Sequence, residues 1–185
     1  MVEIFAGKEY DGKVLQAKSV MPGGIIMKTK VFIDGSEGTT GLRIHERFVG
    51  REDIELLPIA PEKRKDEEER KLLINQSDIT FLCLPDEAAR QSVGLVQSEK
   101  VKIIDTSTAH RTMEGWAYGF PELSEGHREK IKGGNRIAVP GCYATGFISI
   151  VYPLISGGIM PDDYPVSSFA LSGYSGAGKK TIAVY

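Results

Sequence analysis

The feature that most constrains this chain is a repeated alternation of short apolar runs with charged or amphipathic segments, which begins at Val31. Strands are predicted at 31–33, 54–57, 79–84 and 101–104, and helices at 42–48, 85–98 and in a charged segment that ends near Ile74. Repeated strand–helix units with apolar strands are typical of a parallel sheet that helices cover on both faces, with right-handed crossovers. We therefore predict an α/β fold.

The sequence divides into three segments that differ in composition and in predicted structure. Residues 1–26 carry acidic side chains early and lack a basic start followed by an apolar block, so we interpret them as a weakly ordered extension and not as a signal peptide. Residues 27–141 form the predicted nucleotide-binding domain, and residues 142–185 form the start of an α+β catalytic domain with its first strand at 166–173. The apolar terminus, without a cap or turn, suggests truncation.

The composition excludes several classes of partner. The 23 basic and 25 acidic side chains give a formal net charge of -2, which offers no electrostatic basis for binding nucleic acid or a membrane surface. No run is long and apolar enough to span a bilayer. Two cysteines in unlike contexts indicate neither a disulfide framework nor a metal site, so a cytoplasmic location is expected. The partner that we expect instead of a nucleic acid or a membrane is a small-molecule substrate.

Three glycines follow the first predicted strand at G-x-x-G-x-x-G spacing. Gly35 would allow a tight turn, Gly38 would let a pyrophosphate approach the backbone, and Gly41 would let the next helix pack closely. Their position between a strand and a helix favours dinucleotide binding over a plain turn, which stays the alternative. Predicted cofactor ligands in this turn are Gly35, Ser36, Gly38, Thr39, Thr40 and Gly41.

Basic residues near the second strand indicate which dinucleotide is bound. An acidic ligand for the ribose is expected about 20 residues after the turn, and Glu62 is the candidate there. Lys63, Arg64 and Lys65 follow it directly and suit a 2′-phosphate better than a free hydroxyl, so NADP is favoured over NAD. The alternative is a solvated helix start.

A cysteine follows the Pro140–Gly141 turn. The apolar residues 137–139 precede this turn, and a helix-like apolar segment begins after it, which places Cys142 at or near a helix N-terminus. Unpaired N–H groups and the helix dipole stabilise a thiolate in that position, so Cys142 is the candidate nucleophile. A buried structural cysteine is the alternative for Cys142, and it is the preferred interpretation of Cys83, which lies in a predicted strand.

Polar residues follow the fourth predicted strand, where ligands gather in parallel sheets. Arg111 is the candidate for binding an anionic substrate, and Ser107 for binding the nicotinamide end of the cofactor. A Ser/Thr turn with His110 and Arg111 on the surface is the alternative. The aromatic segment 116–123 is predicted to be a loop, and 127–132 a short exposed helix.

A second glycine-rich segment, 173–180, nearly matches the phosphate-loop motif of nucleotide triphosphatases. Lys180 stands where that motif requires a hydroxyl, and a phosphate loop should follow the first strand of its own nucleotide-binding unit. We therefore prefer a cofactor- or substrate-contacting loop that includes Ser175 and Gly176, with a triphosphatase as the alternative.

Together these motifs resemble one enzyme family. The segments 35–42, 105–111, 116–120, 140–143 and 172–179 are similar to the shorter form of N-acetyl-gamma-glutamyl-phosphate reductase, from about Met27 to Tyr185. The resemblance implies a Rossmann NADP domain, an α+β catalytic domain, arginine biosynthesis, a homo-oligomer when full length, and reduction of an acyl phosphate to an aldehyde through Cys142.

This sequence departs from the family pattern in two respects. Val139 and Ala144 stand where the family usually has Asn and Pro. The family's catalytic histidine is expected beyond Tyr185, and His45, His110 and His127 do not match it. Two alternatives stay open: an enzyme similar to aspartate-semialdehyde dehydrogenase, or a nucleotide-binding fragment without turnover.

Overall fold

The computed structural model describes residues 27–177, which form six strands and five α-helices. In chain order these are β1 Thr29–Asp34, α1 Thr39–Phe48, β2 Ile54–Leu57, α2 Glu67–Gln76, β3 Ile79–Leu82, α3 Asp86–Gly94, β4 Lys102–Asp105, β5 Ala117–Tyr118, α4 Glu125–Gly133, β6 Arg136–Ala138 and α5 Cys142–Ser156. Short 3-10 turns occur at Pro61–Lys63, Pro121–Leu123 and Tyr174–Ala177.

All six strands form one sheet in the order β2-β1-β3-β4-β6-β5, and every neighbouring pair is parallel. The chain moves from β1 to β2 on one side and then returns to β3 on the other side. The order therefore reverses between β1 and β3, and the carboxyl ends of these two strands enclose a crevice where doubly wound folds bind ligands. The predicted α/β class is confirmed.

Helices cover both faces of the sheet. The main hydrophobic core joins Phe32, Leu82 and Ile103 of the sheet to Leu73 and Ile74 of α2, together with Ala89 and Val101. On the opposite face of β3, Phe81 contacts Phe48 of α1, with ring centroids 5.6 Å apart. Because successive strand residues point to opposite faces, α1 lies on one side of the sheet, and α2 and α3 lie on the other.

The carboxylate at the end of β1 links two helices to the sheet. Asp34 is 3% exposed and accepts hydrogen bonds from Arg70 of α2, with Nη2 at 3.0 Å, and from Ser92 of α3, with Oγ at 2.9 Å. A buried carboxylate is tolerated only when it is paired and hydrogen-bonded. The network therefore fixes the residue that precedes the glycine turn.

The structure corrects three expectations about the elements. The segment 166–173 is predicted to be a strand but contains none, because no described strand lies beside it to accept its backbone hydrogen bonds. The aromatic segment 116–123 is predicted to be a loop, yet it contributes β5 to the sheet edge. The helix predicted at 85–98 extends only from Asp86 to Gly94, and the amides of Gln97 and Ser98 donate instead to the side-chain oxygen of Asn75.

No helix within residues 27–177 combines the length and apolar character that a membrane crossing requires.

Candidate functional site

The glycine turn after β1 packs directly against the end of β3. Gly35 has a φ of +87°, and a Cβ there would lie 2.3 Å from the carbonyl oxygen of Cys83. Gly41, in the first turns of α1, is equally confined, since a Cβ would lie 2.4 Å from the Gly35 carbonyl oxygen. The Gly38 amide donates to that same oxygen at 3.0 Å. The turn therefore requires glycine at positions 35 and 41 and lies at the point where the strand order reverses.

A cavity of about 390 Å³ opens beside this turn, between the carboxyl ends of β1 and β2. Its walls are mostly apolar, with charged groups at one side. The lining residues are Ile33, Ser36, Glu37, Leu42, His45, Leu56, Leu57, Pro58, Ile59 and Arg64. An apolar slot with a cation beside a glycine turn fits the adenosine half of a dinucleotide.

Of the three basic residues that favour NADP in the sequence, Lys63, Arg64 and Lys65, only Arg64 lines this cavity. Arg64 lines the cavity, where its Nη2 lies 3.0 Å from a Glu37 carboxylate oxygen, and its buried Nε has no hydrogen-bond partner among the described residues. The Lys63 ammonium instead lies 2.8 Å from Glu69, and this hydrogen bond raises the pKa of Lys63. Only Arg64 is therefore placed to meet a ligand in this cavity.

The other predicted cofactor residues are dispersed. Ser36 lines the cavity, and Thr39 and Thr40 are exposed in the first turn of α1. The Ser107 hydroxyl points inward and donates to Asp105 at 2.7 Å. Ser175 and Gly176 belong to the 3-10 turn Tyr174–Ala177, and the lysines of the phosphate-loop alternative lie outside the described residues.

Cys142 is the first residue of α5, and Gly141 is its N-cap, with extended backbone angles. The thiol is exposed, so the alternative of a buried structural cysteine is wrong for this residue. Cys83 differs from Cys142 in position and exposure. It lies just beyond β3, it is half-buried, and burial raises the pKa of its thiol to about 11 against the opposing effect of a hydrogen bond with Thr106.

Arg111 lies against the turn that precedes Cys142. Its Nε donates to the Val139 carbonyl at 3.0 Å and its Nη2 to the Thr106 carbonyl at 3.4 Å. Its Nη1 lies 2.8 Å from the position that a Cβ would occupy on Gly141. The guanidinium therefore spans the ends of β4 and β6 at the start of α5.

His110 is 3% exposed, so the alternative that placed it on the surface is wrong. Its Nδ1 lies 2.6 Å from Asp105, and its ring stacks on Trp116 with centroids 4.1 Å apart. Sequence reasoning missed this buried pair. The available signal was the strand-terminal Asp five residues before a His, in a segment rich in hydroxyl side chains.

The glycine turn and Cys142 lie at the same edge of the sheet, because β1 and β6 are parallel and both features follow carboxyl ends. Three strand spacings separate β1 from β6, which corresponds to roughly 14 Å. An extended dinucleotide bound at the glycine turn can bridge such a distance along the edge.

The doubly wound sheet and its glycine turn define a Rossmann-type dinucleotide-binding domain. A family model described as "Semialdehyde dehydrogenase, NAD binding domain" matches residues 31–133, and one described as "Semialdehyde dehydrogenase, dimerisation domain" matches residues 142–184. The chain belongs to the semialdehyde dehydrogenase family.

Several curated relatives carry the name N-acetyl-gamma-glutamyl-phosphate reductase. The protein from Trichormus variabilis is 56% identical over 158 residues, which are 85% of this chain and 49% of the relative. A second reductase, from Pseudomonas putida, is 49% identical over 152 residues, which are 82% of this chain and 49% of the relative. The chain thus spans about half the length of the curated relatives it matches.

Solved structures share the fold at low sequence identity. Aspartate semialdehyde dehydrogenase II from Vibrio cholerae superposes with a TM-score of 0.53 at 19% identity, covering 70% of this chain and 47% of that one. The aspartate semialdehyde dehydrogenase from Francisella tularensis gives 0.53 at 16% identity, covering 70% and 41%.

Proposed function

We propose that this chain carries the NADP-binding and nucleophile-bearing parts of an N-acetyl-gamma-glutamyl-phosphate reductase. One observation carries the proposal: an exposed cysteine opens a helix at the same sheet edge as the glycine turn, in a chain 56% identical to a reductase of that name. The reaction is the reduction of the acyl phosphate to N-acetylglutamate semialdehyde with release of phosphate, a step of arginine biosynthesis.

Cys142 performs the covalent step. Its thiolate attacks the acyl carbon, a carbon–sulfur bond forms, and the carbon–oxygen bond to phosphate breaks with its electron pair leaving on phosphate. The first intrahelical bond of α5 runs from the Thr145 amide to the Gly141 carbonyl. The amides before Thr145 therefore lack helical acceptors and stabilise both the thiolate and the oxyanion of the tetrahedral intermediate.

The chain supplies a fitting site for the cofactor. When bound, NADPH provides the hydride that reduces the thioester carbon. The apolar cavity at β1 and β2 would hold the adenosine half, the Arg64 guanidinium would bind the 2′-phosphate, and the glycine turn would hold the pyrophosphate.

Collapse of the resulting thiohemiacetal needs a proton donor and acceptor. The described histidines are placed elsewhere: His45 lines the adenosine cavity, His110 is buried against Asp105, and His127 of α4 lies 2.9 Å from the Ser124 hydroxyl. We infer that the acid–base group comes from another segment, as the family resemblance implies.

The covalent step is testable on this chain without the reductive half-reaction. Incubation with N-acetyl-gamma-glutamyl phosphate should release phosphate and add one N-acetylglutamyl group to Cys142, detected by intact and peptide mass spectrometry. The Cys142→Ser variant should remain unmodified, and Cys83→Ser should behave like the unaltered chain. Phosphate release that survives Cys142→Ser, or faster acylation by aspartyl phosphate, would contradict the proposal.

We also propose that the surface around α5 forms a homo-oligomer interface. None of the residues of α5 is fully buried, and Tyr143, Phe147 and Ile150 are among its exposed apolar side chains. A helix with apolar residues on all sides is normally covered by other chain segments, and the family model that matches this region is described as a dimerisation domain.

The interface can be tested by light scattering coupled to size-exclusion chromatography. Ile150→Glu should shift the protein towards monomer, whereas Leu72→Glu, an exposed apolar position on α2, should leave its mass unchanged. An unaltered chain that remains monomeric at millimolar concentration would contradict the proposal.

A further inference from the structure

The carboxylate that ends β4 organises the loop before Arg111. Asp105 is fully buried, with Oδ1 accepting from the Ser107 amide at 2.9 Å. Its Oδ2 accepts from the Ser107 hydroxyl at 2.7 Å and lies 2.6 Å from His110 Nδ1. Because carboxylate oxygens accept hydrogen bonds, we assign His110 Nδ1 as the donor. The contact closes residues 105–110 into a hydrogen-bonded ring.

Trp116 also fixes the orientation of the imidazole by stacking on its ring face. The His110 ring stacks on the indole of Trp116 at an interplanar angle of 11°. A buried carboxylate that lost its imidazole partner would be costly, so the loop has one strongly favoured conformation. This arrangement determines the direction in which the next residue, Arg111, leaves the loop.

Arg111 links the ring of residues 105–110 to the turn that precedes Cys142. Its guanidinium bonds to the Thr106 carbonyl after β4 and to the Val139 carbonyl after β6, which leaves Nη1 against Gly141. The Val139 amide also donates to the Asp105 carbonyl at 2.8 Å. The ring at Asp105 and the turn that carries Cys142 are therefore joined by both backbone and side-chain bonds.

We propose that Asp105 and His110 are positioning residues that hold the Arg111 cation beside the Gly141–Cys142 turn. Neither of them reaches the substrate. Their effect is transmitted through Arg111, which places a positive charge next to the nucleophile and fixes the start of α5. The inference deepens the proposed function and rests on it only for the role of Cys142 as the nucleophile.

The test compares alkylation of Cys142 by anionic iodoacetate and neutral iodoacetamide, with peptide mass spectrometry to separate Cys142 from Cys83. A fixed cation nearby should raise the iodoacetate-to-iodoacetamide rate ratio above that of a free thiol by roughly three- to tenfold. Arg111→Gln should remove this preference. His110→Ala and Asp105→Asn should reduce it several-fold although Arg111 is retained, and His110→Asn, which can donate from a similar position, should restore part of it.

Matched controls separate positioning from loss of structure. Met113→Gln changes an exposed side chain of the same loop and should leave the ratio unchanged. Cys83 reports on the fold, because its alkylation speeds up if the sheet opens. A wild-type ratio in folded His110→Ala, or no effect of Arg111→Gln, would overturn the proposal.

A second measurement covers variants that fail to fold. In the unaltered chain, nitrogen NMR should show a His110 Nδ1 proton that exchanges slowly with water, whereas rapid exchange like that of a surface histidine would overturn the proposal. Neither readout involves acyl phosphate or NADPH. Failure of the acylation test alone therefore counts against the proposed function, and failure of the alkylation ratio alone counts against the positioning role.

Discussion

Gly35 packs on the peptide carbonyl of Cys83 so closely that a Cβ on residue 35 would lie 2.3 Å from the oxygen. The contact joins the turn after β1 to the end of β3, across the position where the strand order of the sheet reverses. The backbone of Gly35 also has a positive φ, which residues other than glycine disfavour. Any other residue at position 35 would therefore be destabilised twice, by a collision of its Cβ with the Cys83 carbonyl and by the unfavourable φ.

Gly35→Ala should lower the free energy of unfolding by at least about 3 kcal/mol, since it combines a backbone collision with a strained φ. Gly50 shares the positive φ, but a Cβ on residue 50 would have no neighbour within 4 Å among the described residues, so Gly50→Ala should cost only about 1 kcal/mol. Urea denaturation monitored by circular dichroism measures both. Equal losses in the two variants would show that the Cys83 contact contributes nothing.

Arg70→Ala should destabilise the chain by about 3–5 kcal/mol, because it leaves the buried Asp34 carboxylate without its cation. The matched control is Arg43→Ala, which breaks an exposed ion pair with Glu46 and should cost less than about 1 kcal/mol. The double variant Asp34→Asn with Arg70→Met should recover part of the loss. Urea denaturation midpoints measure the loss of stability in each variant. A loss in Arg70→Ala similar to that in Arg43→Ala would contradict the view that Arg70 stabilises the buried Asp34 carboxylate.

The two cysteines should react with alkylating reagents at different rates at pH 8. Burial raises the pKa of Cys83 to about 11 from an ordinary thiol value of 9.0. Its thiolate fraction at pH 8 is then about one in a thousand, and the exposed Cys142 should react first. Quantitative peptide mass spectrometry after timed quenching measures this order, and preferential labelling of Cys83 would be incompatible with it.

The same burial predicts a pH dependence of stability. Between pH 9 and 11 the unfolded chain loses the Cys83 proton while the folded chain keeps it, so the free energy of unfolding falls as pH rises through this window. The decline attributable to Cys83 is about 2 kcal/mol. Urea titrations at pH 8.5 and 11 should show a smaller decline in Cys83→Ala, and identical declines in both proteins would refute the assignment.

Arg64→Ala should weaken NADPH binding by roughly tenfold with little change for NADH, because it removes the cation that we propose binds the 2′-phosphate. Lys63→Ala is the matched control and should change neither affinity by more than about twofold, since Lys63 is paired with Glu69 away from the cavity. Glu37→Gln frees Arg64 from its ion pair and should tighten NADPH binding. Fluorescence titrations measure all three, and equal effects at positions 63 and 64 would contradict this placement.

The sequence allowed much of the site to be predicted because the signals are local. Alternation of apolar runs with helices indicates a parallel α/β sheet, a glycine triplet after the first strand indicates its turn, and a cysteine after Pro140–Gly141 indicates a helix start. Each depends on residues a few positions apart, where backbone preferences act directly. The resemblance to reductases agrees with the family to which the chain belongs.

Other features depended on residues distant in the chain. Asp105, His110 and Trp116 have the sequence pattern of a polar turn beside an aromatic loop, whereas packing buries the imidazole between carboxylate and indole. Segment 166–173 has a strand-like composition but lacks, among the described residues, the partner strand that would satisfy its backbone.

By itself, the sequence determined strands β1 to β4 with the helices between them, the glycine turn and the placement of Cys142, since short-range periodicity and turn chemistry specify them. Only the tertiary structure decided the sheet order, the entry of Arg64 and not Lys63 into the cavity, and the contact of the Arg111 guanidinium with Gly141. The physical reason is that these features arise from hydrogen bonds and packing between segments many residues apart, whose relative positions no local pattern encodes.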